Sequence, residues 1–201
     1  MTPCQYKRMI DLLENNNLHN ICELGSGQST RIFKTYCKKR NAIAFSIEND
    51  TYYNIYDSIM MPLKEKTSFA IDDKIFDKCT YYYGFEDWLK EQDKFDFVLI
   101  DGPNDVVPHN YKSLYYSKIQ TLSFILLDKL NNNSFVLIHD SERDEAQRTL
   151  EIFETLLSER GYGFLKEIIT ETDEQIIEYN KKYLNVCPEL TIYKIINTNY
   201  N

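Results

Sequence analysis

The sequence lacks the features that would place it in a membrane, outside the cell or on nucleic acid. No window approaches eighteen consecutive apolar residues, the length that a bilayer-spanning helix needs. Its start, Met1-Thr2-Pro3-Cys4-Gln5-Tyr6-Lys7-Arg8, has no apolar h-region, so no secretory signal is expected. Cysteine is sparse and unpatterned. Cys4, Cys22, Cys37, Cys79 and Cys187 are odd in number and include no Cys-x-x-Cys pair. That argues against a zinc site and for buried free thiols in a reducing cytoplasm. Positive charge is in deficit, with a net charge of −8, which argues against general nucleic-acid binding. Basic residues cluster only briefly, as in Lys38-Lys39-Arg40 at an expected helix end, where they match the helix dipole. No repeat, low-complexity linker or composition shift marks a second domain, and nothing signals an oligomeric state.

What is present is enough chain for one domain. The 201 residues are 43% hydrophobic and 14% aromatic, which supports a substantial core within a single unit, 1–201. Tyr6, Met9, Ile10 and Leu13 recur at helical spacing until Asn15-Asn16-Asn17, so 1–18 holds a helix against the sheet or over the site. Residues 19–25 read as a strand, 29–40 as a helix, and the nearly all-apolar 42–47 as a strand buried on both faces. Tyr52, Ile55, Tyr56, Ile59, Met60 and Leu63 predict a helix over 51–63. Residues 64–78 read as an insertion, either a hairpin or a loop over the ligand. The β-rich run 80–84 predicts the third strand, and a short helix begins at Phe85.

The clearest strand is 95–100, running into Asp101-Gly102-Pro103. After a polar loop, 104–110, a long helix is predicted over 111–130, with a turn at 131–133. Residues 135–138 form a fifth strand, and Ala146, Leu150, Phe153 and Leu157 mark a helix stopping at Gly161. Two last strands, near 164–171 and 190–196, have no crossover-strength helix between them and predict an antiparallel hairpin. The expected fold is α/β, a mostly parallel seven-stranded sheet with an antiparallel C-terminal hairpin.

In such a sheet a ligand lies beyond the carboxyl ends of the strands, at the switch in strand order. The first strand ends in Glu23, Gly25, Ser26 and Gly27, and the second in Glu48. The third ends in Gly84, Phe85 and Glu86, the fourth in Asp101, Gly102 and Pro103, and the fifth in His139, Asp140 and Ser141. All five end in an acid or beside one, which packing alone does not require. Each has a plainer alternative. Glu48 can lead into a helix cap at Asp50, Asp101 can form a turn, and His139 can be a satisfied half-buried histidine. His19 and His109 have no such context. An acid about twenty residues beyond a Gly turn is where ribose hydroxyls are bound in dinucleotide and related folds.

Across nearly its whole length the chain resembles the class I S-adenosylmethionine-dependent methyltransferases. Glu23-Leu24-Gly25-Ser26-Gly27-Gln28-Ser29 is similar to the family's first motif, an acid followed by Gly-x-Gly-x-Gly, with Ser29 in place of the third glycine. The resemblance implies a Rossmann-like three-layer sandwich with S-adenosyl-L-methionine as cofactor. It implies that Gly25, Ser26 and Gly27 contact the methionine part, with Glu23 steering the loop. It puts Glu48 on the ribose, Phe85 and Glu86 at the adenine, and Asp101 at the cofactor amino group and the substrate. Leu99-Ile100-Asp101-Gly102-Pro103 and Ile138-His139-Asp140-Ser141-Glu142-Arg143 are similar to stretches of sugar O-methyltransferases of the glucuronoxylan group. The acceptor implied is a hydroxyl of a sugar, glycan or other small polar molecule.

A hydroxyl acceptor must lose a proton as the new bond forms. His139 or Asp101 could be the general base. Alternatively, Asp101 and Asp140 could hold a divalent cation that lowers the hydroxyl pKa. Two rivals stand beside this expectation. A nicotinamide-dependent oxidoreductase would want Gly or Ala where Thr30 stands and tolerates Glu23 poorly before a pyrophosphate loop. A non-catalytic cofactor-binding partner subunit would have no use for His139 with Asp101 and Asp140.

Overall fold

The computed structural model describes residues 1–54, 57–71, 74–103, 116–172, 175, 177–178 and 188–197; for 66–71, 74–78 and 197 the backbone alone is described. Helix α1 (Pro3–Asn15) opens on a reciprocal cap, in which Gln5 N–H donates to the Thr2 hydroxyl and Thr2 N–H to the Gln5 side chain. Strand β1 (Asn20–Leu24) leads into helix α2 (Gln28–Arg40) and strand β2 (Ile43–Glu48). Then come β3 (Ile59–Met60), the hairpin β4 (Leu63–Ile71) and β5 (Lys74–Tyr82), helix α3 (Phe85–Lys90) and β6 (Phe95–Ile100). Helix α4 (Thr121–Leu126), β7 (Leu130–His139), α5 (Asp144–Glu159), β8 (Tyr162–Thr170) and β9 (Glu189–Asn197) complete the order.

Seven strands form one sheet in the order β3-β2-β1-β6-β7-β9-β8. Neighbours pair in parallel except β9, which runs antiparallel to both β7 and β8. The chain builds outward from β1 through β2 to β3, then returns to β6 on the other side. The switch in strand order therefore falls between β1 and β6.

Strand alternation assigns the two faces. Ile21, Phe97, Leu99, Phe135 and Leu137 pack against α1 and α2, in one core with Met9, Leu13 and Phe33. Cys22, Val98, Ile100, Val136 and Ile138 face the other way, in a second core with Phe85, Phe124 and Phe153 of α3, α4 and α5. The arrangement is the expected three-layer sandwich. Among the described residues no helix is long and apolar enough to cross a membrane, and Cys4, Cys22, Cys37 and Cys79 are free thiols.

Four sequence expectations need correction. No helix spans 51–63; Ile55 and Tyr56 lie outside the described residues. Around them, Asp50 accepts the Tyr52 N–H in a local turn, Asn54 accepts from Ser58, and Asp57 has φ +55°. Tyr52, which made the helical spacing, is 80% exposed. Thr80–Tyr82 is not in the main sheet. It belongs to β5, paired with β4, and the third sheet strand is the two-residue β3, too short to carry a pattern. Of the two options for 64–78, the hairpin is the one observed.

The long helix expected over 111–130 is only α4 in the described part, with 111–115 outside it. Residue Asp128, at φ +51°, turns the chain into β7. The turn expected at 131–133 is absorbed by β7, which pairs from Leu130 and slips register near Asn133, at φ +67°.

Candidate functional site

The parallel register that builds the core also aligns the polar strand ends. Glu23 lies opposite Ser46 on β2 and Leu99 on β6, and Ile100 lies opposite Ile138. One step beyond the last pair are Asp101 and His139, on the α1–α2 face with Glu23 because strand side chains alternate. Three titratable groups thus share one face at the switch point.

The loops after β1 and β6 touch through their backbones. The Leu24 carbonyl accepts both Asp101 N–H at 2.8 Å and Gly102 N–H at 2.7 Å. At Gly25, with φ +90°, a Cβ would come within 2.5 Å of the Gly102 nitrogen. Only glycine fits. At Gly27, by contrast, a Cβ would meet nothing within 4 Å, so that side of the loop is open.

Glu23 is an anchor beneath this loop. Gly27 N–H donates to the Thr30 hydroxyl at 2.9 Å, and Thr30 donates onward to Glu23 Oε2 at 2.6 Å. Ser46 donates to the same oxygen at 2.7 Å, and Ser29 to the other. Burial pushes the Glu23 carboxyl up to about 7, against the lowering effect of these three hydroxyls. The carboxyl is fully buried, so it reaches the glycine loop only through Thr30 and Gly27.

Glu48 is also buried, and it ties the glycine loop directly. Its Oε1 accepts Asn49 N–H at 2.7 Å and Asp50 N–H at 3.0 Å. Its Oε2 accepts Ser26 N–H at 2.8 Å and the Ser26 hydroxyl at 3.0 Å. These four donors fill the lone pairs of a carboxylate. The Ser26 hydroxyl has one proton and is also 2.9 Å from the Tyr53 carbonyl. When it turns there, one acceptor site on Glu48 becomes available to a ligand.

His139 lies between two carboxylates. Its Nδ1 hydrogen-bonds Asp101 Oδ1 at 2.6 Å. Asp140 Oδ1 is 2.9 Å from the same nitrogen but lacks hydrogen-bond geometry, so the proton belongs with Asp101. Arg143 holds the other Asp140 oxygen at 2.8 Å. Burial pulls the imidazole pKa down, but the two aspartates outweigh it and raise it above its ordinary value. Burial likewise opposes charge on Asp101 and Asp140, yet His139 and Lys118 hold both below the usual carboxylate range. His139 Nε2 and the Tyr82 hydroxyl are buried and find no hydrogen-bond partner among the described residues. A Cβ at Gly102 would lie 2.6 Å from that hydroxyl, which places it at the seam between the two loops.

The expected adenine residues separate. Phe85 is fully buried in the core against Trp88 and Phe124, because the first turn of α3 points it inward. Glu86 is half-buried, and its Oε1 accepts from Gln120 and Ser123. Among the described residues no group of three or more His, Cys, Asp or Glu side chains is placed to hold a metal ion. Asp101 and Asp140, the expected ligands, both turn toward His139 Nδ1.

Two residues went unnoticed in the sequence. Lys118 is buried and donates to the Asp101 carbonyl at 2.9 Å, bringing a cation to the acidic rim. Gln120 accepts Tyr82 N–H at 2.8 Å and donates to the Tyr82 carbonyl at 3.0 Å, substituting for a strand neighbour. Both were hidden in the stretch that reads as a long helix, and no local motif marks them.

No protein-family model matches the chain, and no curated protein matches it in sequence. Solved structures do match its fold. A candidate methyltransferase from Streptococcus mutans, in complex with SAH, gives a TM-score of 0.52 at 12% identity, covering 98% of this chain and 100% of that one. The cofactor-bound Rv0187 from MTB gives 0.55 at 12% identity, covering 96% and 80%. A candidate caffeoyl-CoA O-methyltransferase from Staphylococcus aureus gives 0.50 at 14%, covering 96% and 84%. Identities this low speak to the fold alone. The chain has the Rossmann-like fold of S-adenosylmethionine-dependent methyltransferases.

Proposed function

We propose that the protein is an S-adenosylmethionine-dependent methyltransferase acting on a hydroxyl of a sugar or other small polar acceptor. The observation that carries this is the rim itself. An open glycine loop tied to Glu48 adjoins a buried imidazole held by Asp101, all at the switch point of a sheet with the methyltransferase strand order. We keep one domain over 1–201 and a reducing, cytoplasmic setting as parts of the proposal.

The residues fit the cofactor on two counts. The loop is open on the Gly27 side, and Glu48 can free one acceptor site for a ribose hydroxyl when Ser26 turns to Tyr53. When bound, S-adenosylmethionine supplies a methyl already activated on a sulfonium, so position is the main thing the protein adds. Gly25, Ser26 and Gly27 are assigned the methionine end and Glu48 the ribose. Glu23 sets the loop from below through Thr30. Asp101 holds the Nδ1 proton of His139, which leaves Nε2, once neutral, as the acceptor for the substrate hydroxyl's proton. Lys118 tempers the negative charge that Asp101 and Asp140 bring together. Because the described residues offer no metal donor set, the cation alternative is left to the chelation test below.

Labelled-methyl transfer from the cofactor into fractionated extract tests the acceptor class. Label in carbohydrate or small polar molecules supports it; label only in protein or RNA overturns it. Calorimetry tests the cofactor, with binding of S-adenosylmethionine and SAH expected and NAD silent. Binding of NAD alone would remove the assignment.

A further inference from the structure

The first turn of α1 is tied to the rim. The Thr2 hydroxyl donates to Glu171, buried just past β8, and Glu171 N–H donates to the Pro188 carbonyl at 3.1 Å. Glu189, the next residue, accepts Asp140 N–H on its carbonyl at 3.1 Å and the Ser141 hydroxyl on its carboxylate at 2.8 Å. Arg8 adds a two-pronged contact with Glu167 of β8, at 2.7 and 3.0 Å. These ties hold the start of α1 beside the carboxyl ends of β7 and β8. Tyr6 stands one turn in, its N–H bonded to the Thr2 carbonyl at 2.9 Å. The ring is half-buried against the α1–α2 core, on the sheet face that Glu23, Asp101 and His139 share. Burial, Asp101 and Glu23 all raise the pKa of the phenol, so it keeps its proton and remains a donor. Among the described residues that hydroxyl has no hydrogen-bond acceptor.

We propose that Tyr6 is a cofactor-binding residue, whose hydroxyl donates to the carboxylate at the methionine end of S-adenosylmethionine. The proposal rests on the methyltransferase reading, which assigns that end to Gly25, Ser26 and Gly27 and its amino group to Asp101. Amino group and carboxylate sit on the same carbon, so a carboxylate brought up with the amine lies close to Asp101 as well. It then needs a donor on an acid-rich rim. Lys118 and Arg143, cations described there, are turned to the Asp101 carbonyl and to Asp140. Tyr6 supplies a donor from the α1 side, without a charge and without a bond to give up. A hydrogen bond donated to an ionised acceptor is among the stronger kinds.

The test is calorimetry of the full chain with SAH and with methylthioadenosine, which keeps the nucleoside and the sulfur but carries no carboxylate. Tyr6→Phe removes one hydroxyl, and melting at the wild-type temperature shows that the fold is kept. The variant should bind SAH about tenfold or more weakly and methylthioadenosine within about twofold of wild type. Equal losses for the two ligands would mean that Tyr6 acts through the fold, and would overturn the proposal. SAH binding the variant as tightly as the wild type would overturn it too, with the methyltransferase reading intact. No heat from SAH on the wild type would remove both, so the two failures are told apart.

Discussion

Asp101 and His139 are neighbours because β6 and β7 run parallel in register, which brings Asp101 Oδ1 to 2.6 Å from His139 Nδ1. The contact orients the ring and fixes which nitrogen keeps the proton. If Nε2 is the base, His139→Ala should lower turnover by about a hundredfold or more, with cofactor affinity almost unchanged. Steady-state kinetics beside calorimetry measures both. A metal mechanism would instead show loss of activity on chelation, with Asp101→Ala and Asp140→Ala worse than His139→Ala. Full turnover of His139→Ala in chelator would leave positioning alone.

The same contact sets a pH dependence. A base must be neutral to act, and the aspartates raise the pKa of His139 above 6.5. Turnover should therefore rise with pH, with its inflection above that ordinary value. Asp101→Asn removes the carboxylate that raises it most, so the inflection should move to lower pH. A pH–rate profile of both proteins shows the direction. An inflection that stays in place would separate His139 from the titrating group.

Much of this site is legible in sequence, for a physical reason. The apolar runs 42–47 and 95–100 are strands, as their composition predicts. Burial on both faces holds only for the second half of the first run, in which Ile43 is exposed and Ser46 to Glu48 are buried. The glycine turn and the acids at their ends follow from the chain order. The failures share a cause as well. Tyr52 gives helical spacing while facing solvent, and β3 is too short to show any period. Lys118 and Gln120 act through contacts with Asp101 and Tyr82, 17 and 38 residues away, which no local pattern reports. Phe85 was assigned by position in a motif, but its burial is decided by packing against Phe124.

Glu48 and Ser26 should respond unequally. Glu48→Ala removes the acceptor for both the loop and the ligand, and should weaken S-adenosylmethionine by roughly 1–3 kcal/mol. Ser26→Ala keeps the backbone donor to Glu48 and frees the hydroxyl's place on Oε2. Its affinity should stay within about threefold of wild type or improve, since one competitor is gone. Calorimetry on the two variants decides this; equal losses would mean that the Ser26 hydroxyl itself contacts the cofactor.

Gly25 and Gly27 should also differ, one through the fold and one through the ligand. Alanine at Gly25 meets backbone at 2.5 Å and needs φ +90°, so the variant should lose about 2 kcal/mol or more in urea denaturation. Alanine at Gly27 has open space and should cost well under about 1 kcal/mol, the usual cost of a change that meets no neighbour. Its Cβ points into the open side of the loop, so cofactor affinity should fall there. A Gly27→Ala protein that binds S-adenosylmethionine like wild type would place the ligand elsewhere.

Glu23 offers the sharpest test of the anchor beneath the loop. Its carboxyl is pushed up from 4.5 to about 7, so between those values the folded protein holds a proton that the unfolded chain has released. Stability contributed by this group must then fall as pH rises from 4.5 to 7, by roughly 3 kcal/mol in all. Glu23→Gln cannot titrate and carries no such slope. It should be the less stable protein at pH 5, because the hydroxyl oxygen of the protonated carboxyl can still accept from Ser29 while an amide nitrogen in its place cannot. By pH 8 the wild type has lost most of its advantage, and the gap should narrow by roughly 2–3 kcal/mol. Urea denaturation of both proteins at the two pH values isolates Glu23, since every other titrating group is common to them. A gap that widens with pH would mean that the three hydroxyls overcome burial and that Glu23 sits ionised beneath the loop throughout.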